Sequence, residues 1–371
     1  FPALRLHKVC VGAEPRFLII GQGLAGTALA WRLWQRGVPF VIVDRDEAVT
    51  CSKIAAGLVT PITGMRLNLN WRFEEQRKEA AAFYQEVERE TGVRVYYELN
   101  QVRLFRDEAA RALFRRRLED DMLARHVVRT DWADGRGVPL LDANYFRVKH
   151  GGFEQRGGGY LDTEAYLDAS RRFFEAQGRW RSGEVTGDSL TVIVDQVVWQ
   201  EEIFSAAVFC QGWEAARHPW FDWVPFQSAR GSIVTAHADG LGGEERVVNS
   251  SGCWLLPRMD GSLRLGPTYE PQFDQRCPHV PDEAKLSALR GRVDGLVVGT
   301  VTWLEVRTAV RPIVKRAKLL LGRHPRHERV GFLNGLGSKG ALRSPWAARH
   351  LVEHWLDKLP LESEVDLRHN L

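Results

Sequence analysis

The sequence predicts an α/β fold in which a domain built on a parallel sheet is interleaved with an antiparallel α+β domain. Between Arg16 and Asp44, a short apolar strand, a glycine turn, a helix and a second apolar strand follow one another. This order makes a βαβ unit, which requires a parallel sheet. Alternating patterns typical of antiparallel strands fill two later blocks of the chain. A Rossmann-like domain interrupted by two insertions fits this order better than two domains in succession.

The order of the elements also predicts the domain limits. With 371 residues, the chain is too long for one ordinary core and suits two domains or one large composite. We expect residues 1–94, 159–223 and 311–371 to form the Rossmann-like domain. Residues 95–158 and 224–310 are expected to form the second domain.

The composition is that of a soluble globular protein, with 44% hydrophobic and 26% charged residues. No apolar run approaches the roughly 20 residues that span a bilayer, so no membrane association is expected. The five cysteines are widely spaced and lack CxxC pairing, which argues against a disulfide framework or a metal site and favours a reducing, cytoplasmic location. The net charge of +4 gives little support to a nucleic-acid partner. Residues 1–15 show no clear periodicity and are assigned no role.

The remaining elements are predicted from periodicity and end signals. A helix at 24–35 and a strand at 39–43 complete the first unit, and Gly92 ends a helix at 73–90. Further helices are predicted at 108–125, at 162–177 after a capping Asp162 or Thr163, and at 344–356 after the pair Ser344-Pro345. Strands are predicted by alternating or apolar runs at 95–105, 146–153, 192–199, 204–210, 232–236, 253–257 and 262–266.

The first turn carries the pattern GxGxxG at Gly21, Gly23 and Gly26. Gly21 permits a tight turn off the strand, Gly23 lets the backbone approach a pyrophosphate, and Gly26 allows close packing of helix and strand. The phosphates would then lie on the N–H groups and positive dipole end of the helix. Asp44 ends the second strand, where a carboxylate accepts hydrogen bonds from ribose hydroxyls. The motif predicts a bound dinucleotide and leaves FAD and NAD open.

Several later segments extend this pattern. They are CSKIAAGLVTP at 51–61, GGYLD at 158–162, FSAAVFCQGW at 204–213, VRP at 310–312 and NGLGSKG at 334–340. Together these segments resemble the D-amino-acid oxidase, glycine oxidase and sarcosine oxidase superfamily of flavoproteins over nearly the whole chain. Two positions depart from its pattern. The approach to Arg311 lacks the usual glycine, and Trp254 stands where D-amino-acid oxidases commonly carry a tyrosine.

The resemblance implies an FAD-binding domain interleaved with a substrate domain. It also implies non-covalent FAD, because no cysteine follows Cys277 in the C-terminal part, where sarcosine oxidases form their covalent linkage. Val185 would contact adenine through its main chain, and Lys339 would be a cation beside the negative charge that develops on the reduced flavin. The other residues expected at the cofactor, besides the glycine motif and Asp44, are Leu24, Ala25, Arg45, Lys53, Ala55, Ala56, Gly57, Leu58, Gly212, Trp213, Arg311, Gly335, Leu336, Gly337, Ser338 and Gly340.

The resemblance further implies an amine or amino-acid oxidase or dehydrogenase. Its substrate would be a small-molecule amine or amino acid whose C–N bond is oxidised by hydride transfer to flavin N5, giving an imine, with molecular oxygen as the acceptor. An arginine would hold a substrate carboxylate in a bidentate pair, and Arg311 is the first candidate and Arg307 the second. Trp254 and Tyr269 are candidate pocket walls, although large aromatics on strands are as compatible with the core.

Three alternatives stay open. The ending GLGSKG also resembles the flavin domain of tRNA wobble-uridine modifying enzymes, although no basic stripe with interleaved aromatics supports a nucleic-acid partner. A dehydrogenase would pass electrons to a quinone or a protein, and a flavin-binding regulatory protein would have no substrate. The pair His350 and His354 indicates one face of an amphipathic helix more than a metal site.

Overall fold

The computed structural model of the chain describes residues 16–132 and 139–370. Residues 1–15, to which the sequence assigns no role, lie outside these ranges. The helices are α1 (Leu24–Gln35), α2 (Cys51–Ile54), α3 (Phe73–Thr91), α4 (Glu108–Arg117), α5 (Asp121–Ala124), α6 (Thr163–Ala176), α7 (Glu283–Asp294) and α8 (Gly340–Leu356). The strands are β1 (Phe17–Ile20), β2 (Phe40–Asp44), β3 (Leu58–Val59), β4 (Ile62–Thr63), β5 (Asn68–Leu69), β6 (Tyr96–Glu98), β7 (Gln101–Leu104), β8 (Val127–Asp131), β9 (Gly152–Gln155), β10 (Gly159–Leu161), β11 (Trp180–Ser182), β12 (Leu190–Ile193), β13 (Gln196–Trp199), β14 (Glu202–Phe204), β15 (Ala206–Phe209), β16 (Ala229–Ala238), β17 (Val247–Ser250), β18 (Cys253–Pro257), β19 (Leu263–Gly266), β20 (Val301–Arg311), β21 (Leu320–Arg323) and β22 (Val330–Asn334). Within the described ranges, no helix combines the length and apolar character needed to cross a membrane.

A six-stranded sheet in the order β11, β2, β1, β15, β22, β21 forms the central layer. The first five strands in this order run parallel, and β21 pairs with β22 antiparallel. Ile19 faces a core shared with α1, α3, α6 and α8, whereas its neighbours Leu18 and Ile20 face a second core with β12–β14. Because both faces are covered, the strands are apolar throughout. The predicted parallel sheet is confirmed.

An eight-stranded sheet in the order β20, β16, β19, β18, β17, β7, β9, β8 forms the second layer. Its pairs are antiparallel except for β17 with β7. Helix α7 packs on one face through Leu286, Leu289 and Val293. The strands of this sheet come from 101–155 and 229–311. The expected domain limits stay a prediction.

Some predicted elements are divided in the structure. The helix predicted at 108–125 is two helices, because the Asp120 side chain accepts a hydrogen bond from the N–H of Met122 (2.9 Å) and caps a new turn. The strand predicted at 95–105 is β6 and β7, which belong to different sheets. Of the strand predicted at 146–153, only the end belongs to β9, and Phe146 forms an isolated bridge with Val297. Local alternation does not reveal which sheet a strand joins.

The last helix begins at Gly340, one turn before the predicted cap at Ser344. Pro345 then lies inside the helix and cannot donate to the carbonyl of Ala341, four residues earlier. The hydroxyl of Tyr84 on α3 donates to that carbonyl instead, at 2.7 Å. A side chain 257 residues away in sequence therefore satisfies the acceptor that the proline leaves free.

His324 follows β21 and is buried among aromatic rings. Its side chain is 2% exposed, and the ring centroids of Trp220, Phe221 and Trp223 lie 5.6 to 5.8 Å away. Burial, followed by nearby His327, lowers the pKa of His324 to about 4. In the unfolded chain a histidine takes up its proton near pH 6.5, so acid favours unfolding through this side chain. The free energy of unfolding should therefore fall as the pH drops from about 6.5 to about 4, by on the order of 3 kcal/mol.

A His324→Phe variant should show a flatter dependence of unfolding free energy on pH in this window, since phenylalanine fits the aromatic surroundings and has no proton to take up. Urea unfolding monitored by tryptophan fluorescence at several pH values measures this. The control is His237→Gln, because the His237 side chain is 61% exposed. A wild-type pH slope in His324→Phe would contradict the assignment.

Candidate active site

A long cleft opens at the carboxyl ends of β1, β2 and β15. The chain leaves β1 toward β2 on one side, and β15 lies on the other, so this is the point where the strand order reverses. Such a point in a parallel sheet leaves a crevice between the outgoing loops. The loops after Ile20, Val43 and Cys210 line the cleft.

The glycine turn forms the floor of the cleft. A Cβ on Gly26 would overlap the carbonyl oxygen of Gly21, so the helix can approach the strand only with glycine there. A Cβ on Gly23 would lie 2.9 Å from Oγ of Ser52, and this hydroxyl accepts a hydrogen bond from the N–H of Leu24 (3.1 Å). The first turn of α1 carries no acidic side chain. The positive end of the helix dipole therefore faces the cleft without a neutralising carboxylate, as a phosphate site requires.

Asp44 is held rigidly at the end of β2. Its carboxylate accepts hydrogen bonds from the N–H of Gln22 (2.6 Å) and of Asp46 (2.8 Å). The neighbouring Arg45 is paired with Glu47 (2.9 Å) and Glu184 (3.2 Å). This end of the cleft is therefore rich in carboxylates, which accept from ribose hydroxyls and repel a 2′-phosphate.

The segment 51–58 forms one wall. Thr50 caps the short α2 by accepting from the N–H of Lys53 (3.2 Å), whose Nζ donates to the carbonyl of Glu47 (2.6 Å). Gly57 has φ +65°, and a Cβ there would overlap the carbonyl oxygen of Leu161 on β10. Burial raises the pKa of the Cys51 thiol to about 11, with an opposing effect of Arg311. The thiol is therefore neutral near pH 7.

The loops after β15 and β22 meet beneath the cleft. Asn334 donates from Nδ2 to the carbonyl of Gly212 (2.8 Å), and its Oδ1 accepts from the N–H of Gly335 (2.8 Å). The buried Oε1 of Gln211 has no hydrogen-bond partner among the described residues. The carbonyl of Val185 accepts from Nε2 of His218 at 3.1 Å. The unpartnered Oε1 of Gln211 is available to a polar ligand in this part of the cleft.

The opposite end of the cleft lies against the eight-stranded sheet, where Trp254, Pro267 and Arg311 line it. Nη2 of Arg311 donates to the carbonyl of Thr268 (2.6 Å), and its guanidinium carbon lies 5.6 Å from the centroid of Tyr269. The other donors of this guanidinium have no hydrogen-bond partner within residues 16–132 and 139–370. They are free to hold an anion in the cleft.

Most of the predicted site residues line this one cleft. They are Gly21, Gly23, Leu24, Ala25, Asp44, Arg45, Lys53, Ala55, Ala56, Gly57, Leu58, Val185, Gly212, Trp213, Trp254, Arg311, Leu336, Gly337, Ser338 and Gly340. Gly26 and Gly335 do not line it. These two glycines contribute by allowing the path that the backbone takes beside the cleft.

Three candidate side chains lie outside the lining of the cleft. Arg307 is paired with Glu164 (2.9 Å), and Tyr269 is 51% exposed. Lys339 precedes α8, where burial and the nearby Arg343 lower its pKa to about 8. Neither Lys339 nor Arg343 makes an ion pair within the described residues, so a direct contact of Lys339 with the cofactor stays a prediction.

Sequence reasoning missed several polar residues of the cleft, among them Gln22, Ser52, Gln211 and His279. The first three lie inside segments that the sequence singled out, so their position beside predicted residues is a usable signal. His279 lies between β19 and α7, and its Nδ1 donates to the carbonyl of Thr308 (3.0 Å). No local pattern marks it.

The chain is similar in sequence to two proteins over nearly its whole length. It is 23% identical to the uncharacterized oxidoreductase YurR of Bacillus subtilis (strain 168), over 95% of this chain and 96% of that protein. It is 25% identical to the tRNA 5-methylaminomethyl-2-thiouridine biosynthesis bifunctional protein MnmC of Azoarcus sp. (strain BH72), over 96% of this chain. The chain spans 59% of the length of that bifunctional protein.

The fold is similar to the crystal structure of iminodiacetate oxidase (IdaA) from Chelativorans sp. BNC1. The TM-score is 0.75 at 22% identity, with 94% of this chain and 98% of that chain covered. The family described as FAD dependent oxidoreductase matches residues 16–354. The glycine turn, the fixed Asp44 and the partnerless Gln211 fit a flavin dinucleotide. The chain is an enzyme that uses FAD and belongs to the DAO family of FAD-dependent oxidoreductases.

Proposed function

We propose that the enzyme oxidises a C–N bond of an amino acid or a related small amine and gives an imine. The observation that carries this proposal is Arg311, a cation with free donors that faces the cleft opposite the glycine turn. A guanidinium in this position suits a carboxylate, which it binds through two parallel hydrogen bonds. The likeness to a protein named iminodiacetate oxidase agrees with a substrate that carries both an amine and a carboxylate.

The mechanism follows from what the side chains can do. When bound, FAD supplies the hydride acceptor, its N5 atom. Arg311 binds the carboxylate and so fixes the position of the α-carbon, which is the main requirement for hydride transfer. Trp254 and Pro267 exclude water from the reacting end. The neutral Cys51 thiol leaves the charge of Arg311 to the substrate.

The cleft residues named above form the proposed cofactor site. In this proposal Gly23 and the start of α1 would hold the phosphates, Asp44 would hold the ribose, and Val185 would contact the adenine. The loop 335–340 would hold the flavin ring, where its N–H groups and Lys339 would stabilise negative charge. The FAD would be held without a covalent bond.

The visible spectrum of the purified enzyme tests the reaction. Under anaerobic conditions, one member of a panel of D-, L- and N-methyl amino acids should bleach the bands of the oxidised flavin. Peroxide release in air then identifies oxygen as the acceptor, and its absence with rapid reduction of a quinone dye identifies a dehydrogenase. If flavin bands are present and no amine bleaches them, the proposed substrate class is wrong.

A second candidate is oxidation of an aminomethyl group on a modified tRNA base. The similarity to MnmC favours it, over 59% of that protein. A nucleic-acid enzyme should bind tRNA with an affinity that falls steeply with salt. If the enzyme does not bind tRNA, or binds it with an affinity that does not depend on salt, the tRNA candidate is wrong and the small-molecule substrate is favoured.

A further inference from the structure

The guanidinium of Arg311 lies over a position without a side chain. A Cβ on Gly231 of β16 would overlap Nη2 of Arg311 and would lie 2.5 Å from the carbonyl oxygen of Thr268. The same carbonyl accepts the hydrogen bond from Nη2 (2.6 Å). Gly231 leaves the space and Thr268 provides the acceptor, so these two residues together form the seat of Arg311.

Buried polar contacts hold Thr268 in place. Its Oγ1 accepts from the N–H of Ser232 (2.7 Å) and donates to Oε1 of Glu270 (3.3 Å). The other carboxylate oxygen of Glu270 accepts from Nε of Arg230 at 2.6 Å. Residues 230 and 270 also exchange both backbone hydrogen bonds, each at 2.9 Å. Thr268 is thus bound to strand β16 through backbone and side chain.

The ion pair of Arg230 and Glu270 is deeply buried, with side chains 11% and 2% exposed. Burying two charges costs desolvation energy that their attraction only partly offsets, so such a pair is weak evidence for stability. Arg230 additionally donates from Nη1 to the carbonyl of Cys277 (2.9 Å), which anchors the loop that carries His279. The pair therefore fixes both the seat of Arg311 and one border of the cleft.

We propose that Arg230 and Glu270 are positioning residues that, through Thr268, hold the guanidinium of Arg311 in the orientation that binds a substrate carboxylate. This inference rests on the proposed function, because it takes Arg311 as the carboxylate-binding group. A guanidinium displaced by a fraction of an ångström keeps its charge and loses the bidentate geometry. The expected consequence is a selective loss of affinity for carboxylates.

The test is the affinity of the FAD-loaded enzyme for acetate and benzoate, measured from the perturbation of the flavin spectrum. In Glu270→Gln we expect the dissociation constant to rise about tenfold, as for a small misplacement of a binding group. The matched control is Glu154→Gln. Glu154 is a buried carboxylate of the same sheet, paired with Arg129 and Arg246, and it does not line the cleft. Its removal should leave the dissociation constant within about twofold, since it has no link to Arg311.

Thr268→Val is the second variant, because it removes the hydroxyl with its hydrogen bonds to Glu270 and Ser232 and keeps the backbone carbonyl. It should also weaken carboxylate binding, with FAD content and melting temperature close to those of Glu154→Gln. Unchanged affinities in both Glu270→Gln and Thr268→Val overturn the inference, as does equal weakening in Glu154→Gln. The inference is also overturned if neither acetate nor benzoate perturbs the flavin spectrum of the wild-type enzyme. The readout needs no turnover. If no amine bleaches the flavin and Glu270→Gln still weakens benzoate binding selectively, the proposed reaction fails and the positioning role stands.

Discussion

A Gly23→Val variant is expected to be isolated without FAD. The Cβ alone would lie 2.9 Å from Oγ of Ser52, and the two further methyl groups of valine would occupy the space in front of α1. The phosphates could then no longer approach the N–H groups at the start of the helix, where backbone donors and the dipole act together. We expect the affinity for FAD to fall by at least about a hundredfold, or ~3 kcal/mol.

The ratio of flavin absorbance to protein absorbance after purification measures this loss, and titration of the apoprotein with FAD gives the dissociation constant. Gly291→Val in α7 is the matched control, because a Cβ at Gly291 meets nothing within 4 Å. Because valine has a somewhat better helix propensity than glycine, this variant should fold normally and keep its flavin. A folded Gly23→Val protein with full flavin content would refute the placement of the phosphates.

The βαβ unit could be predicted because its signals are local. Apolar runs, the three glycines of the motif and a terminal acid all fall within the stretch from Arg16 to Asp44. Some of the contacts that these residues make also close within it. Gly26 and Asp44 illustrate this, since their contacts are with Gly21 and Gln22. In this unit such contacts close within a few tens of residues, and pattern and structure agree.

The substrate end could be predicted only through the resemblance, because its contacts are distant in sequence. Thr268, which accepts from Arg311, lies 43 residues before it, and no periodicity joins them. The start of α8 differed from prediction for the same reason, since Tyr84 satisfies the carbonyl that Pro345 leaves free. His279 lies outside any motif and borders the cleft through a loop anchored by Arg230. Such positions depend on strand register, which local sequence does not encode.

The choice between Arg311 and Arg307 shows the same limit. The two residues are four apart on β20, so both side chains point to the same face of the sheet. Arg307 meets Glu164 of α6 at 2.9 Å, which neutralises it, whereas Arg311 meets a backbone carbonyl and keeps its charge. The sequence ranks them only by the resemblance. The structure distinguishes them by their partners.

Replacing Arg311 with leucine should raise the dissociation constant of a carboxylate substrate about a hundredfold, because losing one partner of a buried charge pair costs ~3 kcal/mol. Leucine fills much of the same volume but provides no donor. Arg311→Lys should fall between leucine and wild type, since it keeps the charge and loses the bidentate geometry. Anaerobic titration of the flavin spectrum with the substrate and with benzoate measures each constant.

Arg307→Leu is the matched control for Arg311→Leu. It removes the same charge from the same strand and face, and it leaves Glu164 with Arg264 at 3.4 Å as a remaining partner. We expect it to lower the melting temperature and to leave carboxylate affinity nearly unchanged. The reverse result, with affinity lost in Arg307→Leu and kept in Arg311→Leu, would mean that the ion pair with Glu164 opens when substrate binds. The carboxylate would then bind four residues earlier on β20, at Arg307, away from Gly231 and Thr268. In that case neither the seat of Arg311 nor the buried residues that support it could contribute to substrate binding.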